Sequence, residues 1–117
     1  MDKARNRLSK TPKVQGQQLY LPACSEPVCP IDSAIWFAWL ETAVTFRYHS
    51  PRRLVVVRGY GPLVSPISLR KEKRRQGALW YAYRRNHGLL HKRYVGKSEA
   101  LTSARLDEVA IELSLAW

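Results

Sequence analysis

From Ile67 to Lys97 the chain reads ISLRKEKRRQGALWYAYRRNHGLLHKRYVGK, with apolar, aromatic and basic residues interleaved between turn signals. No other segment restricts the possible folds as much. Ile67 to Arg75 alternates around its charges, Gln76-Gly77 reads as a turn, and Leu79 to Arg85 is a second extended run. Asn86-His87-Gly88 suits a three-residue hairpin loop with the glycine in the left-handed region, and Leu89 to Val95 forms a third strand. Gly96-Lys97-Ser98 closes the sheet. Thr102 is placed to cap a helix from Ser103 to about Leu115, in which Leu106, Val109, Ala110, Leu113 and Trp117 recur at helical spacing. Asp107, Glu108 and Glu112 then fall on its outer, solvated face. The expected class is α+β, a three-stranded antiparallel meander packed on a C-terminal helix.

The rest of the chain is read around this unit. Residues 1 to 30 mix Lys, Arg, Gln and Ser with Pro12, Pro22, Pro27 and Pro30 and show little apolar periodicity, a composition that orders poorly by itself. They are expected to form a flexible basic arm and an irregular lead-in, with residues 31–117 as one small domain. Asp32-Ser33 precedes a short Trp-rich helix, IDSAIWFAWLETA, whose Ile35, Trp36, Trp39 and Leu40 make an apolar stripe. Val44 to Tyr48 alternates like a strand, Leu54 to Val57 suggests another, and Gly59, Gly61, Pro62 and Pro66 mark a turn-rich loop. No internal repeat is visible.

Charge indicates the kind of partner. The Ile67–Lys97 stretch holds ten Lys or Arg against Glu72 alone, which makes nine of the chain's formal net charge of +11. Cations at this density displace the counterions condensed on a polyanion, and that release drives association. The bland alternative, a solvated basic face over an ordinary core, does not account for so lopsided a segment. No apolar stretch approaches the roughly 20 residues a membrane span needs. The basic N-terminus runs into QGQQ rather than an apolar core, so a secretory signal is not expected, and a cytoplasmic, nucleoid-associated protein is.

Catalysis finds little support. There is no phosphate-cradling glycine loop and no H-E-x-x-H, and a nuclease needs clustered carboxylates that the basic segment lacks. Cys24 and Cys29 are too few for a disulfide framework, and their spacing is loose for a zinc site shared with His87 and His91. The expectation is a binding module with no catalytic residues, no metal and no cofactor.

The motif W-x-A-Y-R-R…G-x-L-x-K-R-Y-V-G-K, followed by S-E-x-L-T-x-x-R-L-x-x-V-A, resembles a short bacterial module. That module occurs alone or ahead of the ATPase of large LuxR/MalT-like transcription regulators. Trp36-Phe37-Ala38-Trp39-Leu40-Glu41 matches the W-F-x-W-L-E segment that precedes it there. The resemblance covers residues 34 to 113 and departs at Arg52 to Ser65, where this chain carries an insertion. More distantly, residues 67 to 113 are similar to the arm-type, AP2-like DNA-binding domain of tyrosine recombinases.

The distant resemblance implies which sheet face meets DNA. Tyr94 and Lys92 would face it, joined through strand pairing by Arg84 and Trp80. Val95, Tyr83 and Tyr81 would turn inward, with Arg93 and Arg85 on the helix side. Arg70, Lys71, Lys73, Arg74, Arg75 and Lys97 complete the candidate contacts, with Arg70 and Arg74 on one face of the first strand and Lys71 and Lys73 on the other. Lys3, Arg5, Arg7, Lys10 and Lys13 of the arm would follow the backbone or enter the minor groove. Double-stranded DNA is the leading partner, bound by a small regulator or by an accessory factor of a transposition or recombination machine. Alternatives are RNA, stacked on Trp80 or Tyr94, and a larger protein docked on the Trp36/Trp39 helix.

Overall fold

The computed structural model describes residues 10–54 and 61–116. Its elements run β1 (Lys13–Gln15), β2 (Gln18–Tyr20), β3 (Cys29–Pro30), α1 (Ala34–Thr42), β4 (Thr45–Tyr48), β5 (Ile67–Arg74), β6 (Gly77–Asn86), β7 (Leu89–Gly96), a 3-10 turn (Ser98–Ala100) and α2 (Ser103–Ser114). All the strands join one seven-stranded mixed sheet in the order β3-β2-β1-β4-β5-β6-β7. The expected three-stranded meander packed on one helix is therefore overturned by a seven-stranded mixed sheet. β5, β6 and β7 form the meander, and four further strands extend it.

Residues 13–30, expected as arm and irregular lead-in, contribute three of those strands. Gly16 and Gln17, both in the left-handed region (φ 61° and 65°), turn β1 back onto β2. β1 then lies parallel to β4, with Lys13 beside Arg47 and Val14 beside Tyr48. Arg47 N–H donates to the Pro12 carbonyl and His49 N–H to the Val14 carbonyl, each at 2.9 Å. These strands are two or three residues long, and each puts a single apolar side chain, Val14, Leu19 or Cys29, into the core. One residue per strand is too little for a periodicity to show. Of the expected strand Leu54 to Val57, only Leu54 lies within the described residues; beside it, Arg53 bridges Leu63.

Both helices cover the same face. Val14, Leu19, Phe46, Tyr48, Ile67, Leu69, Trp80 and Ala82 project from five strands into one core with Trp36 and Leu40 of α1 and Leu106, Val109, Ala110 and Leu113 of α2. Capping follows the sequence reading. Ser33 Oγ accepts from Trp36 N–H and Thr102 Oγ1 from Arg105 N–H, both at 3.2 Å. Each satisfies one of the donors that a helix start leaves without a partner. At the far end of α1, Lys71 Nζ donates to the Leu40 and Glu41 carbonyls at 2.7 and 3.1 Å, placing a cation at the negative end of the helix. Gly96, at φ 144°, permits the turn into Ser98–Ala100, where any Cβ would lie 2.8 Å from that of Ala100.

Asp107 departs from its expected solvated position. It is buried, accepting from Tyr48 Oη at 2.5 Å and Ser50 Oγ at 2.7 Å, with Arg52 Nε at 3.4 Å. This cluster ties the chain after β4 to the middle of α2. Among the described residues no helix is long and apolar enough to cross a membrane.

Candidate nucleic-acid interface

The face of the sheet opposite the helices is open, and cross-strand pairing arranges its side chains in rows. One row runs through Tyr20, Lys13, Arg47, Ser68, Tyr83 and Lys92, crossing from β2 to β7. The next holds Thr45, Arg70, Tyr81 and Tyr94. Residues directly opposite on neighbouring strands have their Cβ atoms about 5 Å apart, so each row is a continuous strip of touching side chains. Glu72 and Arg74 follow on β5, and Arg85 pairs with Leu90 toward the β6–β7 turn.

The turn settles the faces. Asn86 pairs with Leu89 across a two-residue loop, with His87 and Gly88 both at positive φ. The expected loop had three residues, pairing Arg85 with Leu89. A shift of one residue exchanges the two faces of a strand relative to its neighbour. Lys92 and Tyr94 do lie on the open face, but Tyr81, Tyr83 and Arg85 stand beside them in place of Trp80 and Arg84. Tyr81 and Tyr83, expected inward, are thus part of the exposed surface.

Trp80 is fully buried, stacked edge-on against Phe46 at 5.4 Å, and its indole N–H donates to Ser98 Oγ. It cannot touch a ligand in the folded chain. Arg84 lies on the helix side of β6, opposite His91. Arg93, also on the helix side, reaches Glu112 at 3.9 Å. Lys71 is committed to the end of α1 and sits over the Trp80 ring. Lys73, Arg75 and Lys97 are exposed around the β5–β6 turn and the end of β7, at the rim rather than within the rows. Lys10 is exposed just before β1; Lys3, Arg5 and Arg7 lie outside the described residues.

Among the described residues of the open face, six cations (Lys13, Arg47, Arg70, Arg74, Arg85 and Lys92) stand against one acid, Glu72. Glu72 accepts from Tyr83 Oη and Arg74 and lies 3.3 Å from Lys92 Nζ. The Tyr83 bond above all, then Lys92 and Arg74, hold its carboxyl below the ordinary carboxylate range. Cations also lie over the rings: Lys92 Nζ is 4.3 Å from the centroid of Tyr81, Arg74 5.1 Å from the same ring, and Arg70 5.4 Å from that of Tyr83. Tyr94, half-exposed, meets Tyr81 edge-on at 5.6 Å.

Other sequence candidates separate in space. Cys29 is on one edge strand and His91 on the other, so the Cys and His pairs share no site. Trp36 is fully buried, donates its indole N–H to the Leu101 carbonyl at 2.9 Å, and stacks on Trp39 at 5.6 Å, which removes it as an exposed docking anchor.

Tyr20 was missed, and Lys13 was expected as a contact of a flexible arm rather than of the sheet, because both sit in strands too short to recognise. Arg47 was legible from the Val44–Tyr48 alternation, which sets it opposite Phe46 and Tyr48, but its neighbours were not. Searches against protein-family models, curated proteins and solved structures find no match to this chain.

Proposed function

We propose that the open sheet face binds double-stranded DNA, making this chain a non-catalytic binding protein. It would act in the bacterial cytoplasm as a small regulator or as an accessory factor of a transposition or recombination machine. The observation that carries this reading is the pair of cross-strand rows, with six cations against one acid on a face that neither helix covers.

Dimensions refine the docking. Strands spaced about 4.8 Å apart make the longer row roughly 24 Å wide from β2 to β7. The B-DNA major groove is about 12 Å wide and admits a ribbon of two or three strands. In this reading β5, β6 and β7 enter the groove, where Arg70, Arg74, Lys92 and Tyr94 reach base edges and phosphates. Lys13 and Arg47 lie outside it, against the flanking backbone. Neutralising about five phosphates gives a slope near −4.5 in log affinity against log salt.

One observation favours a second reading. The half-exposed Tyr94 ring, edge-on to Tyr81, presents a surface on which an unpaired RNA base stacks.

The test is selection from random-sequence duplexes at two salt concentrations, with a structured RNA measured in parallel. An enriched duplex motif whose binding survives the higher salt supports the first reading. Tighter binding to RNA loops replaces it with the second, and no binding to either overturns both.

A further inference from the structure

Within the open face lies a concavity of about 310 Å³ between β4, β5 and the β6–β7 hairpin. Ser68 and Tyr83, neighbours in the long row, line it together with Arg47, Arg70, Arg84 and Arg85, and Pro66 and Leu90 supply its apolar part. Its volume is at the small end of the range for ligand sites, roughly the size that takes one nucleotide rather than a polymer.

The electrostatics distinguish this hollow from the rest of the face. Arg74 and Lys92 share the single carboxylate of Glu72. Arg47 donates to Ser68 Oγ at 3.0 Å, Arg85 contacts the Gly88 carbonyl at 3.4 Å, and Arg70 lies over the Tyr83 ring; none of the three meets a carboxylate among the described residues. Each guanidinium has five N–H donors in a planar fork, so most of their donors stay available. Like charges around one small volume repel one another unless an anion lies between them. A phosphate suits the fork geometry better than a single-point anion does.

We propose that this concavity binds a single phosphorylated nucleotide, its phosphate held by Arg47, Arg70 and Arg85 and its base against Leu90 and Pro66. The nucleotide is either the terminal residue of a bound strand, in which case the proposal rests on the sheet being a nucleic-acid surface, or a free mononucleotide.

The test titrates the full chain with adenosine monophosphate and with adenosine, and measures duplexes whose one-nucleotide overhang carries or lacks a 5′-phosphate. The monophosphate is expected to saturate one site while adenosine does not. Arg47→Gln and Arg85→Gln should each weaken that binding about tenfold, the scale of one charge-assisted hydrogen bond. Arg93→Gln and Glu112→Gln, a pair on the helix side of the sheet, should leave it unchanged, and thermal melts establish that each variant is folded. Equal binding of adenosine and its monophosphate, or equal losses in all four variants, overturns the site. If duplexes bind and the monophosphate does not, the pocket is wrong and the sheet reading stands. If the monophosphate binds and no duplex does, the pocket stands with a free nucleotide as its ligand, and the sheet reading falls.

Discussion

Tyr83 donates its hydroxyl to Glu72, fixing the one acid among the described residues of the open face beside Arg74 and Lys92. Burial first, and then this carboxylate, raise the Tyr83 pKa above its ordinary value, so the phenol stays protonated and the contact persists at neutral pH. Glu72 in turn occupies Arg74 and Lys92. Glu72→Gln keeps an acceptor for Tyr83 but frees both cations. Affinity for duplex DNA is expected to rise severalfold, with a salt slope steeper by about one. Titrations at a series of salt concentrations measure both.

Trp80 and Arg70 separate folding from binding. Trp80→Ala empties a fully buried site beside Phe46 and is expected to cost about 3–5 kcal/mol of stability. Arg70→Ala, exposed on the other face, should leave the thermal midpoint nearly unchanged and weaken nucleic-acid binding. Denaturant unfolding together with binding isotherms for the two variants checks the assignment of faces. A binding loss in a fully folded Trp80→Ala protein would contradict it.

Lys13 and Arg47 stand side by side on parallel strands, far along the chain from the basic stretch. If they meet phosphates, Lys13→Gln and Arg47→Gln each reduce the salt slope by about one without changing sequence preference. An unchanged slope for both would confine the interface to β5, β6 and β7.

Asp107 holds two hydroxyls inside the fold. Burial, reinforced by this carboxylate, pushes the Tyr48 pKa far above its ordinary value, so the phenol remains a donor. Asp107→Ala leaves the hydroxyls of Tyr48 and Ser50 unpaired and is expected to cost about 2–4 kcal/mol. Asp107→Asn, which retains an acceptor, should cost about 1 kcal/mol. Equilibrium denaturation distinguishes the two.

His49 follows β4 directly. Partial burial, then the charges of Arg47 and Lys13, lower its pKa below the ordinary 6.5. The unfolded chain therefore takes up this proton at a higher pH than the folded one. The contribution to stability is complete above 6.5 and is lost as pH falls through the lower folded value. His49→Gln should flatten that part of the stability profile, read from thermal melts on either side of 6.5.

Local signals carried the second half of the chain. Alternation with turn residues marked β5, β6 and β7, helical spacing marked α2, and Ser33 and Thr102 marked the two helix starts, because these depend on neighbours a few residues away. The excess of cations was equally plain, since charge needs no fold to be counted. Which cations share a surface was a tertiary matter. A two-residue turn at His87-Gly88 instead of a three-residue one placed Tyr81, Tyr83 and Arg85 outward and Trp80 inward, since one step of register inverts a strand. β1 is ordered by a parallel partner more than thirty residues away, Arg47 and Tyr48 of β4, and β2 by its pairing with β1, so nothing in their own composition announced them. Lys71 left the set of free cations because the end of α1 happens to finish beside it. Sequence alone determined β4 to β7, the two helices and the charge; long-range pairing made strands of β1, β2 and β3 and decided which side chains stand together on the open face.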